Sequence, residues 1–270
     1  MEWKNIYRGL MMGASDVIPG VSGGTIAVLL GIYDRLIASI SGLFSKEWKN
    51  YLGFLIPLAI GMGAAILALA NLIEYLYDHY PKQTEFFFLG LILGVLPYLF
   101  RQAEVKQTFK AQHIILFIVG AILISLMIFR PETNGVITDR SFGTYALLFF
   151  SGMLGSAAMI LPGISGSLVL LMIGVYQTVM SAITHWEFDV ICVVGIGIVC
   201  GILLVSKIIQ FFLMNYRTGT FALILGLVTG SLVVVFPGFP VDTLPILVSV
   251  VTFALGLLLA YILGKVEYKA

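Results

Sequence analysis

Two broken apolar segments, alike in sequence and set 143 residues apart, constrain this chain more than any other feature. Pro19-Gly20-Val21-Ser22-Gly23-Gly24 returns as Pro162-Gly163-Ile164-Ser165-Gly166-Ser167, and Gly31-Ile32-Tyr33 returns as Gly174-Val175-Tyr176 at the same offset. Further along, Tyr80 and Gly90-Leu91-Ile92-Leu93-Gly94 match Tyr216 and Gly226-Leu227-Val228-Thr229-Gly230 at an offset of 136, which also pairs Gly120 with Gly256. A chain that repeats itself folds as two related units, and in membrane proteins built this way a ligand site falls at their junction.

The flanking sequence says which solvent the repeat lives in. Of 270 residues 60% are apolar and 11% charged, with a mean hydropathy of +1.05, where a soluble domain carries about 25% charged residues. Leu52 to Ala70, Ile114 to Phe129, Val190 to Val205 and Ile246 to Leu263 approach the ~20 residues that cross ~30 Å of hydrocarbon. A water-soluble fold is not expected. The first apolar stretch runs from Gly20 to Ile40 without a small-residue cleavage site, so the N-terminus is expected to stay attached. Cys192 and Cys200 lie eight residues apart on one expected helix, roughly 12 Å along its axis and too far for a disulfide; both read as helix-packing residues.

The expected fold is all-α: a polytopic membrane protein of two inverted-topology repeats, each a re-entrant, broken helical hairpin followed by three transmembrane helices. Repeat 1 covers 1–129, with its hairpin near 9–41 and helices near 52–78, 84–101 and 112–129. Residues 130–143 form an external connector. Repeat 2 covers 144–270, with its hairpin near 144–184 and helices near 188–214, 219–236 and 245–264. The hairpins either re-enter or span fully, and both options give an even number of crossings, so three further helices invert the second half. With the N-terminus inside, eleven Lys and Arg fall on the inner face and only Lys82, Arg130 and Arg140 on the outer, the bias that cytoplasmic loops carry. Both termini are therefore expected to be cytoplasmic. Trp3, Trp48 and Trp186 fall at segment ends, where amphipathic aromatics settle.

Bare backbone in lipid costs several kcal/mol per unpaired group, so each Pro-Gly-x-Ser-Gly tip must face protein or a water-filled cavity. Pro19 and Pro162 stop the preceding helix, Gly20, Gly23, Gly163 and Gly166 permit tight turns, and new helices are expected to start near Gly24 and Ser167. Free N–H groups and the positive end of a helix dipole then sit near mid-membrane, where phosphate is the natural guest. Ser22, Thr25, Ser165 and Ser167 add hydroxyls, and the two tips are expected to face each other across one central cavity. The alternative is close helix packing, the role assigned to Gly90, Gly94, Gly226 and Gly230. Ionisable residues within the spans are candidates by default: Asp16 and Glu74 for a coupling ion, Arg35 and Lys207 for offsetting phosphate charge, with snorkelling as the plain alternative for the cations. Met159, Gln210, Thr178 and Asn71 stand at the matching positions of the other half, so charge breaks the symmetry.

Gly13-Ala14-Ser15-Asp16-Val17-Ile18-Pro19-Gly20-Val21-Ser22-Gly23-Gly24-Thr25, then Leu30-Gly31-Ile32-Tyr33-Asp34, and the echo Leu161-Pro162-Gly163-Ile164-Ser165-Gly166-Ser167 resemble the bacterial polyprenyl-phosphate (undecaprenyl-phosphate) transporter family over nearly the whole chain. The resemblance implies a flippase of the bacterial cytoplasmic membrane. It would return undecaprenyl phosphate from the outer to the inner leaflet, where cell-envelope precursor synthesis reuses it. An acidic role carries over to Asp16 alone. Because a phosphate monoester bears about −1.5 to −2 charges, moving it inward against an inside-negative potential costs about 3.5 to 4.6 kcal/mol per 100 mV. Entry of protons or sodium is expected to drive it, while membrane lipid holds the prenyl chain. No cofactor, metal or nucleic acid is expected. A lipid-phosphate phosphatase is disfavoured because His79, His113 and His185 sit apart near segment ends and no cluster has metal-ligand spacing. A cation-coupled carrier of a small anion stays open, since broken inverted hairpins serve many substrates.

Overall fold

The computed structural model describes residues 1–16, 22–129, 135–238 and 243–267, and every regular element among them is helical. The first series is α1 (Asn5–Asp16), α2 (Gly23–Leu29), α3 (Tyr33–Ser41), α4 (Trp48–His79), α5 (Pro81–Gln102), the single turn α6 (Val105–Thr108) and α7 (Ala111–Ser125). The second is α8 (Phe142–Ile160), α9 (Gly166–Ile173), α10 (Tyr176–His185), α11 (Phe188–Asn215), α12 (Arg217–Val235) and α13 (Thr243–Glu267). Among the described residues seven helices are long and apolar enough to cross a membrane, and α9 with α10 forms a further segment bent by 107°. The protein is an all-helical, polytopic membrane protein.

The two hairpins break alike and differ in reach. Gly31 and Gly174 take φ of +64° and +85°, a left-handed backbone that ends a helix without the penalty a Cβ would bring. The arm α8 has 19 residues and can cross. Its counterpart α1 has 12 residues, rises ~18 Å and stops short.

In lipid no hydrophobic drive pushes helices together, so close backbone approach supplies the attraction. Glycines make that approach possible here. A Cβ on Gly9 would strike the Leu58 carbonyl and one on Gly61 the Ile6 carbonyl, locking α1 on α4; Gly152 meets Val194 and Gly197 meets Phe149 in the same way, locking α8 on α11. Between the halves the partners exchange: Gly90 meets Phe253 and Gly256 meets Phe87 in the α5–α13 pair, while Gly226 meets Phe117 and Gly120 meets Leu223 in the α7–α12 pair. Each contact has its counterpart at the offsets read from the sequence, the exchange a two-fold relation produces. Gly90 and Gly226 are thus packing residues. Cys192 and Cys200, in contrast, are exposed on α11 rather than packed as expected, because lipid is as apolar as an interior and nothing drives a thiol inward.

Polar contacts hold the returning arms α3 and α10 and their surroundings at the two ends of the bundle. On the side of the N-terminus Arg35 pairs with Glu2, and Arg217 reaches Asp34 at 2.8 Å. On the other side Arg140 pairs with Glu187 and lies 3.6 Å from Asp189, and the Ile137 N–H donates to Thr178 Oγ1 at 2.9 Å. In the connector, the Ser141 and then the Thr144 hydroxyl donate to Asp139 (2.6 and 2.9 Å) and hold its carboxyl below the usual carboxylate range. Exposed pairs such as these add little stability singly; their effect is to fix where α3 and α10 lie.

Candidate functional site

The first tip is closed by its own side chains. Ser22, with extended backbone, is the N-cap of α2, and its Oγ accepts the Gly24 N–H at 3.1 Å. The Gly23 N–H donates to Asp16 Oδ1 at 2.6 Å. A carboxylate of the chain therefore occupies the helix start that the sequence offers to an outside anion. All seven residues of α2 are buried. Asp16 Oδ2 is also buried and has no hydrogen-bond partner among the described residues.

The tips touch directly. Thr25 Oγ1 accepts the Gly163 N–H at 2.8 Å, and the single Ser22 hydroxyl proton is shared between the carbonyls of Met159 (3.1 Å) and Leu161 (3.4 Å). A Cβ on Gly24 would lie 2.8 Å from the Ile160 oxygen. Gly163 holds φ +87° against the Leu227 carbonyl, where any side chain would be strained and obstructed. Pro162 sits in this turn, buried, just past the α8 end at Leu161.

The second tip is left open. Ser165 precedes α9 with extended backbone, but its side chain does not cap the helix; its Oγ lies 2.8 Å from Ser167 Oγ. Met159 stands where Asp16 stands in the first half, and its Cβ packs beside Gly166. A thioether is a weak acceptor, so the N–H groups of the first turn of α9 keep their donor capacity. Only Leu168 of α9 is buried.

Both tips contribute to one cavity of about 220 Å³, lined by Asp16 and Ser22 from the first and Ile164, Ser165, Gly166 and Ser167 from the second, with walls from α8 and α11. That volume is about seven waters' share of liquid, room for a phosphate group and not for a prenyl chain. Ile198 and Met159, both of which line it, are 38% and 37% exposed, so the cavity opens sideways where lipid would lie. The space is thus beside the touching tips, not between them. Its donors are the α9 N–H groups and the Ser165 and Ser167 hydroxyls. An ionised Asp16 offers only acceptors, whereas a protonated one offers a donor.

Not every candidate comes to this place. Pro19 and Gly20 lie outside the described residues, and Glu74 is described by its backbone alone, in α4. Arg35 is engaged with Glu2 and stacks 5.0 Å from the Phe54 ring centre, and Lys207 is exposed on α11; neither lines the cavity. Long cationic side chains reach the interface instead of staying in the bundle. The walls went unread: Gly152, Gly155 and Ser156 on α8 and Ile198 and Ile202 on α11. Small residues three and four apart on one helix face were the available signal.

The undecaprenyl phosphate translocase-like family matches residues 12–250. A polyprenyl-phosphate transporter of Staphylococcus aureus is 44% identical over 98% of this chain and 97% of its own length. A polyprenyl-phosphate transporter of Vibrio cholerae is 38% identical over 88% of this chain and 79% of its own. No solved structure matches significantly.

Proposed function

We propose that this chain, which belongs to the undecaprenyl phosphate translocase-like family, carries undecaprenyl phosphate from the outer to the inner leaflet of the bacterial cytoplasmic membrane, making it available again for envelope-precursor synthesis. The family relatives are transporters by name, and no enzymatic step is invoked. The observation that carries the reading is the meeting, in one cavity within an apolar bundle, of an uncapped helix start, two serine hydroxyls and a carboxyl oxygen without a partner among the described residues. In this reading the phosphate lies on Ser165, Gly166 and Ser167, and the prenyl chain passes Ile198 into lipid. Ser22, Gly23, Gly24, Thr25, Pro162 and Gly163 hold the two tips in register.

Coupling follows from charge. A carboxylate and a phosphate cannot both stay ionised and adjacent in an apolar cavity without a large penalty. Asp16 therefore takes up a proton, or a sodium ion, when the phosphate is bound, and gives it up inside; each ligand then favours the other's binding reciprocally. A cation moving inward offsets about 2.3 kcal/mol per 100 mV, half to two-thirds of the cost of the phosphate, and the cation's own concentration gradient or a second cation supplies the rest. The reading includes two inverted repeats, 1–129 and 144–270, an external connector at 130–143 and cytoplasmic termini. It is supported by the exchanged glycine contacts and by the eleven-to-three bias of Lys and Arg.

Proteoliposomes with an imposed inward proton or sodium gradient test this. A short-chain labelled polyprenyl phosphate should become protected from phosphatase added outside, and soluble inorganic phosphate should not compete. Unchanged exposure of the lipid, or competition by free phosphate, contradicts the reading.

A further inference from the structure

The proposed transport cavity is built on α8, α9 and α11 and the first tip. A larger space, about 730 Å³, lies between α5 and α13 and shares no residue with it. It sits at the C-terminal ends of both helices; α4 starts beside the N-terminus, where the Glu2 N–H donates to the Gly53 carbonyl, and α5 returns to that same face. Gly94, Leu257 and Leu258 give it an apolar floor, and Tyr98, Tyr261, Arg101 and Lys265 stand at its mouth. The Tyr98 hydroxyl donates to the Tyr261 carbonyl at 3.1 Å across the two helices, and Lys265 Nζ lies 5.9 Å from the Tyr261 ring centre. No carboxylate lines the groove, and neither cation forms an ion pair among the described residues.

Two cations without an ion pair among the described residues, beside an apolar trough at the end of two spanning helices, are the complement of an anionic lipid. We infer that this groove binds an anionic diacyl phospholipid, its phosphodiester between Arg101 and Lys265 and one acyl chain along Leu257 and Leu258. A zwitterionic lipid fits less well, because its own ammonium group would face the same two cations. The transported lipid is assigned to the other cavity, with which this groove shares no lining residue.

Native mass spectrometry of the full-length protein titrated with phosphatidylglycerol or with phosphatidylcholine of the same chains tests this. Phosphatidylglycerol should be retained preferentially. A single Arg101→Gln or Lys265→Gln change should weaken retention about fivefold, and the pair about thirtyfold, while Arg101→Lys with Lys265→Arg keeps it. Binding of short-chain polyprenyl phosphate should be unaffected in all of them. Equal retention of the two phospholipids overturns the inference, and that comparison needs no variant. So does undiminished phosphatidylglycerol binding in the double variant, or displacement of phosphatidylglycerol by polyprenyl phosphate.

Discussion

The two hairpin tips share a motif and meet opposite fates. At the first, Asp16 accepts the Gly23 N–H, Ser22 accepts that of Gly24, and α2 is wholly buried. At the second, the position of Asp16 is Met159, Ser165 leaves the helix uncapped, and α9 is buried only at Leu168. One substitution pattern thus separates a tip that satisfies itself from a tip that can receive an anion. In the proposed mechanism the carboxylate of Asp16, which has no counterpart at Met159, sets the charge of the cavity in which the second tip holds the phosphate.

The most damaging change to this asymmetry is Met159→Asp, which gives the second tip the carboxylate of the first. Two unit charges 4 Å apart repel by about 4 kcal/mol at an effective dielectric of about 20, so transport in proteoliposomes should fall by about three orders of magnitude. Asp16→Asn keeps an acceptor for the Gly23 N–H but carries no proton. At 100 mV the lipid gradient should drop about fiftyfold, the value of one coupled charge, and its dependence on pH or sodium should vanish. Ser165→Ala or Ser167→Ala removes a donor to a charged ligand, worth about 1.5 kcal/mol or more; equilibrium binding of the lipid should weaken about tenfold. Thr25→Val strands the buried Gly163 N–H, so thermal unfolding should show about 1–3 kcal/mol lost, with binding altered only through the fold. Ser22→Ala is the mild counterpart: a lost cap costs about 1 kcal/mol of stability, yet affinity should stay within about threefold because that hydroxyl is already spent on Met159 and Leu161. Were Ser22→Ala to weaken binding as much as Ser167→Ala, the distinction between the tips would collapse.

The all-helical membrane character was legible because lipid forces it: apolar runs of spanning length have few other folds open to them. The helix starts were legible to within one residue, at Gly23 and Gly166 rather than Gly24 and Ser167, since Ser-Gly after a break has a local cause. What could not be read was long-range. That Asp16 would fold back onto Gly23, that Thr25 would take the Gly163 N–H, and that the space would open beside the tips toward α11 depend on how α1 and α8 pack. Sequence spacing carries no record of that. That Arg35 and Lys207 do not line the cavity was equally out of reach, because where a long side chain ends depends on the packing around it.

The most direct measurement is a cryo-EM map of the protein in nanodiscs with undecaprenyl phosphate bound. The account predicts phosphate density within hydrogen-bond reach of Ser165 and Ser167, at the start of α9, with the prenyl chain leaving past Ile198. A headgroup seated on the first tip, or a cavity that stays empty while the lipid binds elsewhere, would contradict it.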